Sequence, residues 1–347
     1  MLAGGASHAY GASATSTRFR FIIPMRDISI LVPGRLHDHA VKRISDAFRL
    51  VPLEAADPGL LSGRSSEAVR GIAAMTTIDA AFIDALPKLE IIANFGVGYD
   101  AVDANHAASK KIMVTNTPDV LNEEVADTAV ALLLNTVREF PKAEAYLRSG
   151  RWAREGGYPL TAATLRGRRV GIFGLGRIGQ AIAHRLEAFG LPIAYHNRRP
   201  VAGVSYAYHD SLRGLAEAVD VLVSVAPGGA QTHKIVDAGI LEALGPDGVF
   251  INIGRGSTVD EQALIAALAT GTIRAAGLDV FADEPHVPQA LLDLDNATLL
   301  PHVGSASQAT REAMADLVVD NLLAWFDEGR VLTPVPETAG LAAARPG

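Results

Sequence analysis

Three reactive side chains stand late in the chain, each just beyond an apolar run: Arg255 in "NIGRGSTVDE", Glu284 in "LDVFADEP" and His302 in "LLPHVGSAS". An imidazole titrates near neutrality and can give or take a proton, a carboxylate can fix its tautomer, and a guanidinium offers a planar fork to an anion. Taken singly, each has a plain structural reading. Taken together and in this order, they point to proton transfer on a substrate held by its negative charge.

A second constellation precedes them. "VGIFGLGRIGQAIAHRL" sets Gly174, Gly176 and Gly179 directly after an apolar strand and before an amphipathic helix, which is the context a dinucleotide loop requires. Gly174 permits the tight turn, Gly176 lets the backbone approach a pyrophosphate, and Gly179 allows helix and strand to pack closely. Leu175, Arg177 and Ile178 complete the loop, and the helix N-terminus faces the phosphates. The following strand ends in "HNRRP", where an NAD site carries an acid on the adenine ribose. Asn197, 23 residues after Gly174, is neutral. A carboxylate there would repel a 2′-phosphate by roughly 4 kcal/mol at 4 Å in an effective dielectric near 20. Its absence admits NADP, and Arg198 and Arg199 offer charge-assisted donors, Arg198 taking the larger share. The cofactor expectation is therefore NADP(H) in preference to NAD(H). Earlier, "ANFGVGYDAVD" places Val97 and Gly98 in a glycine-flanked loop whose N–H groups can form an anion nest for a carboxylate.

These residues must be positioned by alternating layers. After Met25, short apolar runs at 28–34, 71–76, 89–96 and 112–118 alternate with helical patterns, and six more runs begin at 168, 191, 219, 248, 273 and 296. Such alternation predicts parallel α/β sheets, the second a complete doubly wound Rossmann unit. Apolar spacing predicts one long helix from Asn122 to about Leu147, then a loop over 149–160. A last helix, capped by Ser305 or Ser307, follows the nucleotide unit and returns to the first one. The expected division is 26–123 with 305–335 for substrate, 124–304 for the dinucleotide, and a tail over 336–347. Residues 1–25, Ala/Ser/Gly-rich and without an acid, fit disorder or an over-extended start better than a transit peptide.

Composition narrows the rest. A net charge of −7 with no Lys/Arg-rich stripe argues against a nucleic-acid partner, and no apolar run is long enough to span a membrane. The absence of cysteine excludes disulfides and thiolate chemistry, and a cytoplasmic location is the default. His37 and His39 lack a third clustered ligand and are expected in an exposed loop, with no metal bound.

The glycine loop, Arg255, Glu284 and His302, each at its place relative to the strands, resemble the D-isomer-specific 2-hydroxyacid dehydrogenase family across 26–335. Within it the likeness is nearest to NADPH-dependent glyoxylate/hydroxypyruvate reductases and the hydroxyphenylpyruvate reductase type. The resemblance implies two Rossmann-like domains around a cleft, the substrate domain flavodoxin-like. It implies His302 as acid/base, Glu284 as its partner and Arg255 as the anchor of the substrate carboxylate. It also implies cofactor contacts at Thr128, Ala226, Pro227, Ile253, Asp279 and Gly304, Asp279 at the nicotinamide amide, and Met75 as part of the side-chain pocket. The same likeness makes the region around Trp152 a two-fold contact, so a homodimer is expected. The expected reaction is NADPH-dependent reduction of glyoxylate and hydroxypyruvate to glycolate and D-glycerate. Two alternatives stay open: a reductase of bulkier aromatic oxo acids such as hydroxyphenylpyruvate, and an NADP(H)-binding redox sensor or corepressor, which has no need of all three reactive side chains.

Overall fold

The computed structural model describes residues 26–344, so the segment expected to be disordered, 1–25, lies outside the described residues. Apolar runs without alternation must be buried on both faces, and parallel sheets bury them so. The first sheet joins β1 (Arg26–Pro33), β2 (Phe48–Leu53), β3 (Val69–Ala74), β4 (Ile91–Asn94) and β5 (Met113–Thr115) in the order β2-β1-β3-β4-β5. That is the flavodoxin-like order. The second joins β6 (Val170–Phe173), β7 (Ile193–His196), β8 (Ala207–His209), β9 (Val221–Ser224), β10 (Val249–Asn252), β11 (Ala275–Leu278) and β12 (Ala297–Leu299). Its order, β12-β11-β10-β9-β6-β7-β8, reverses direction at β6, the switch point where open α/β sheets take their ligands. All named pairs are parallel, and the expected fold class of two doubly wound α/β units is borne out.

Two strands escape the sequence pattern. β2 and β8 are half-exposed edge strands, β8 of three residues only, so no continuous apolar run announces them. The helix expected to reach Leu147 is broken. It runs from Asn122 to Arg138, then Glu139 adopts φ 53 and a second helix, Phe140–Arg148, starts with Pro141 in its first turn. A proline within a helix lacks the N–H for the carbonyl four residues back and its ring clashes there, but it suits a helix's first turn, so the break follows from "EFPK". The loop expected over 149–160 contains a further short helix, Arg151–Glu155.

The chain crosses between the sheets twice. Helix Asn122–Arg138 lies on β10 and β11, so closely that a Cβ on Gly277 would stand 2.5 Å from Thr136 Oγ1. Helix Gln308–Glu328, capped by Ser307 accepting from the Thr310 amide, returns to β4 and to the first helix, Asp38–Ala47. Its Met314, Val318, Leu322 and Trp325 are buried, and Arg43 bridges its Asp316 and Asp320 at 2.8 Å each. The stretch expected as a tail is anchored over its first part: Thr338 is fully buried and its hydroxyl accepts from the Val114 amide. His37 and His39 do not form an exposed loop. His37 caps the first helix and stacks on Phe95, and His39 meets Asp316 at 2.7 Å. Among the described residues no helix is long and apolar enough to cross a membrane.

Candidate active site

The loops after β4, β6, β10, β11 and β12 converge at the C-terminal ends of the two sheets. After β10, Asn252 folds the chain back on itself. Its Oδ1 accepts from the Gly254 amide and its Nδ2 donates to Arg255 O, which also accepts from Thr258 Oγ1. The Arg255 backbone is thereby fixed, and its side chain crosses to the other unit. Nε donates to Asp100 Oδ1 at 3.0 Å, Nη1 to Gly254 O at 2.8 Å, and the guanidinium lies against Gly98. Asp100 went unremarked in the sequence because its partner is 155 residues away and no local signal links them.

Glu284 and His302 meet as expected. His302 Nδ1 and Glu284 Oε2 are 2.6 Å apart, and Glu284 Oε1 accepts from the Phe281 amide. Burial alone would raise the Glu284 carboxyl, but the His302 and Phe281 hydrogen bonds outweigh it and hold it below the ordinary carboxylate value. His302 stands in a left-handed backbone conformation, φ 52, uncommon for a residue with a side chain. Asp279 holds it there: its carbonyl accepts from the His302 amide, and its carboxylate takes the Val303 and Gly304 amides at 2.7 and 2.8 Å. Burial pushes the Asp279 carboxyl up against the pull of those amides. The structure thus gives Asp279 a task beyond the nicotinamide contact expected of it, that of pinning the His302 loop. Thr128 stands beside that loop, with its hydroxyl on Glu124 O and Gly304 O.

The glycine loop has the geometry its spacing implies. Gly174 has φ 100, and a Cβ there would stand 2.8 Å from the Ala226 amide; a Cβ on Gly179 would stand 2.4 Å from Gly174 O. A Cβ on Gly176 would meet no protein atom within 4 Å, so the room in front of this helix suits a pyrophosphate. Leu175 serves differently from a ligand contact: its side chain is buried and its amide donates to Asn197 Oδ1 at 2.6 Å. The neutral residue at the end of β7 therefore also ties down the loop. Arg198 and Arg199 are exposed beside it, and Arg198 Nη1 donates to Gln231 Oε1, a residue the sequence did not single out. Arg177 pairs with Asp119 at 3.0 Å, while Ile178 is half-buried in the first turn of the helix. Ala226 is buried against Gly174, Ile253 is buried beside Gly304, and Pro227 is exposed. Together these residues fit a phosphorylated dinucleotide: a glycine cradle, a neutral strand end and two guanidinium groups.

Residues 130–304 match the model of the D-isomer specific 2-hydroxyacid dehydrogenase NAD binding domain. The chain belongs to the D-isomer specific 2-hydroxyacid dehydrogenase family. It is accordingly an NAD(P)-binding oxidoreductase acting on CH–OH groups. A solved relative is the NADPH-dependent glyoxylate/hydroxypyruvate reductase of Sinorhizobium meliloti in complex with NADP and malonate. It is 58% identical, with TM-score 0.89, over 90% of this chain and 98% of that one. Glyoxylate/hydroxypyruvate reductase A of Arabidopsis thaliana is 44% identical over 90% of this chain and its own whole length. Hydroxyphenylpyruvate reductase of Plectranthus scutellarioides is 49% identical over 74% of this chain and 82% of its own. For a 2-hydroxyacid dehydrogenase, a proton donor and a carboxylate anchor must face one substrate across the cleft. Val97, Gly98 and the exposed Met75 lie on the first unit's side of that cleft, after β4 and β3.

Proposed function

We propose that this dehydrogenase reduces small 2-oxo acids with NADPH, glyoxylate and hydroxypyruvate first among them, giving glycolate and D-glycerate. The observation that carries the reading is the His302–Glu284 pair at 2.6 Å, served by the same cleft as Arg255 against Gly98. The substrate carboxylate lies between the N–H groups of the Val97–Gly98 loop and the Arg255 guanidinium, which also polarises the carbonyl. His302, with Nδ1 on Glu284, presents Nε2 to the carbonyl oxygen and delivers its proton there, while the Glu284 carboxylate fixes the orientation of the ring. When bound, the dihydronicotinamide supplies the hydride that the carbonyl carbon accepts. Closure of the cleft excludes water and holds the reacting atoms in line.

Preference for NADPH rests on Asn197, Arg198 and Arg199, and the reductase solved with NADP supports it. The two units are 26–123 with 305–335 and 124–304, in keeping with the two crossings of the chain. A homodimer is supported by the apolar arm after the broken helix, where Phe140, Leu147, Trp152 and Leu160 are 45–99% exposed. The relative named for hydroxyphenylpyruvate favours a second reading, bulkier aromatic oxo acids in the same pocket beside Met75. The test is loss of NADPH absorbance with glyoxylate, hydroxypyruvate and phenylpyruvate, repeated with NADH. Turnover of the two small acids with NADPH is expected. Fastest turnover of phenylpyruvate would favour the second reading, and silence across the panel would leave a nucleotide-binding sensor.

A further inference from the structure

The loop Gly96–Tyr99 has all its carbonyls tied and three of its amides free. Gly96 O accepts from Asn94 Nδ2 and the Thr117 amide, Val97 O from Asn116 Nδ2 at 2.8 Å, Gly98 O from Asn94 Nδ2 at 3.1 Å, and Tyr99 O from the Val102 amide. The amides of Val97, Gly98 and Tyr99 donate to no acceptor among the described residues. The two facts are one, because a peptide unit is planar and trans: the carbonyl of one residue and the N–H of the next point in opposite directions. Pulling the Gly96 and Gly98 carbonyls toward Asn94 turns the Val97 and Tyr99 N–H groups away from it. Pulling the Val97 carbonyl toward Asn116 turns the Gly98 N–H away in the same manner.

Asn116 is itself held from the far end of the chain. Its carbonyl accepts from Thr333 Oγ1 at 2.7 Å, and its amide donates to Thr333 O. Thr333 Oγ1 in turn accepts from Asn321 Nδ2, and the Leu332 and Thr333 amides donate to Asn321 Oδ1. Asn321 is fully buried in the closing helix Gln308–Glu328. A run of hydrogen bonds therefore leads from that helix, through Thr333 and Asn116, to the Val97 carbonyl.

We propose that Asn116, with Asn94, is a positioning residue for substrate affinity: its side-chain amide aims the loop's N–H donors at the substrate carboxylate. This deepens the function proposed above and rests on its placing the carboxylate at this loop. The donors hold a group that is anionic before, during and after reaction, so their loss weakens ground state and transition state alike. Such uniform binding appears in KM and not in kcat.

The full-length Asn116→Ala variant is compared with wild type in glyoxylate reduction, in inhibition by oxalate, and in NADPH titration by fluorescence. The expected result is a KM for glyoxylate and a Ki for oxalate each raised about tenfold, the loss of roughly one charge-assisted hydrogen bond. kcat and the NADPH Kd should stay within about twofold of wild type. Should Asn116→Ala fail to fold, Thr333→Val decides: it leaves the Asn116 side chain in place, removes the hydroxyl that donates to Asn116 O and accepts from Asn321 Nδ2, and should shift the same two constants in the same direction. Unchanged KM and Ki, or a fall in kcat at constant KM, would overturn the proposal. A wild-type enzyme that turns over no 2-oxo acid would instead defeat the function on which it rests.

Discussion

Gly98→Ala isolates the placement of Arg255 with a single methyl group. A Cβ built on Gly98 stands 1.7 Å from Arg255 Nη2 and 2.6 Å from its Cζ, with Asp100 Oδ1 next at 3.0 Å. Non-bonded atoms settle at about 3.5 Å, so the guanidinium must retreat by roughly 1.8 Å and surrender its place against the loop. The backbone is no obstacle, because Gly98 is not among the residues of positive φ. The clash is with the free end of a flexible side chain, so the fold survives. Misplacement of a positioning group by about 1 Å can cost 10²-fold, so kcat/KM with glyoxylate should fall at least about 10²-fold, or about 2.7 kcal/mol of transition-state stabilisation. The assay is steady-state NADPH oxidation by Gly98→Ala, Arg255→Ala and the double variant. With Arg255 truncated the new methyl meets only Asp100 Oδ1, which need give by a few tenths of an ångström, so the double variant should nearly match Arg255→Ala alone. Additive losses, or a Gly98→Ala enzyme with wild-type kcat/KM, would refute the reasoning.

His302→Ala should lower kcat by about 10²–10⁴-fold with the NADPH Kd intact, and Glu284→Gln by about 10–100-fold through loss of the charge-assisted bond to the imidazolium. Single-turnover mixing separates these losses from product release. Arg198→Ala should raise the NADPH Kd about tenfold and leave the NADH Kd nearly unchanged, as read by fluorescence titration; equal losses with both would dissociate Arg198 from the 2′-phosphate. Asp220 has its carboxyl below its ordinary value of 3.8, held there mainly by the Arg169 side chain and also by the Arg169 amide, against burial. A depressed acid stabilises the fold above its unfolded pKa and loses that contribution as pH falls through the folded one. Asp220→Asn should therefore be less stable than wild type by about 1 kcal/mol at neutral pH in urea unfolding, with the difference shrinking below about pH 4.

The sequence is legible where chemistry and burial coincide. Gly174, Arg255 and His302 each follow an apolar strand, and parallel sheets deliver such positions to one edge, so their convergence can be anticipated without coordinates. Edge strands β2 and β8 cannot, for half their surface faces water and the apolar pattern dissolves. The break at Glu139 is carried by a left-handed residue that helical periodicity does not register, although Pro141 marks it. Least legible are the partners that hold the site: Asp100 for Arg255, Asp279 for the His302 loop and Asn116 for Val97. Each is an ordinary polar residue whose meaning comes from a contact made by folding, between 19 and 155 positions away.

The return of the closing helix to the first sheet also sets an order of events. The nucleotide unit is contiguous and has all its strands once Leu299 is made, whereas the first unit awaits Met314, Val318, Leu322 and Trp325 to cover its sheet. Domains of a growing chain fold as their residues emerge, so the half that holds the cofactor can mature while the other is still on the ribosome. Thr333, which holds Asn116 and through it the Val97 carbonyl, comes later still. Competence for nucleotide should precede competence for substrate, and synchronised cell-free translation sampled for NADPH binding and for turnover would see the two signals in that sequence. A stretch translated after Arg255, Glu284 and His302 is thus the one that steadies the loop they face.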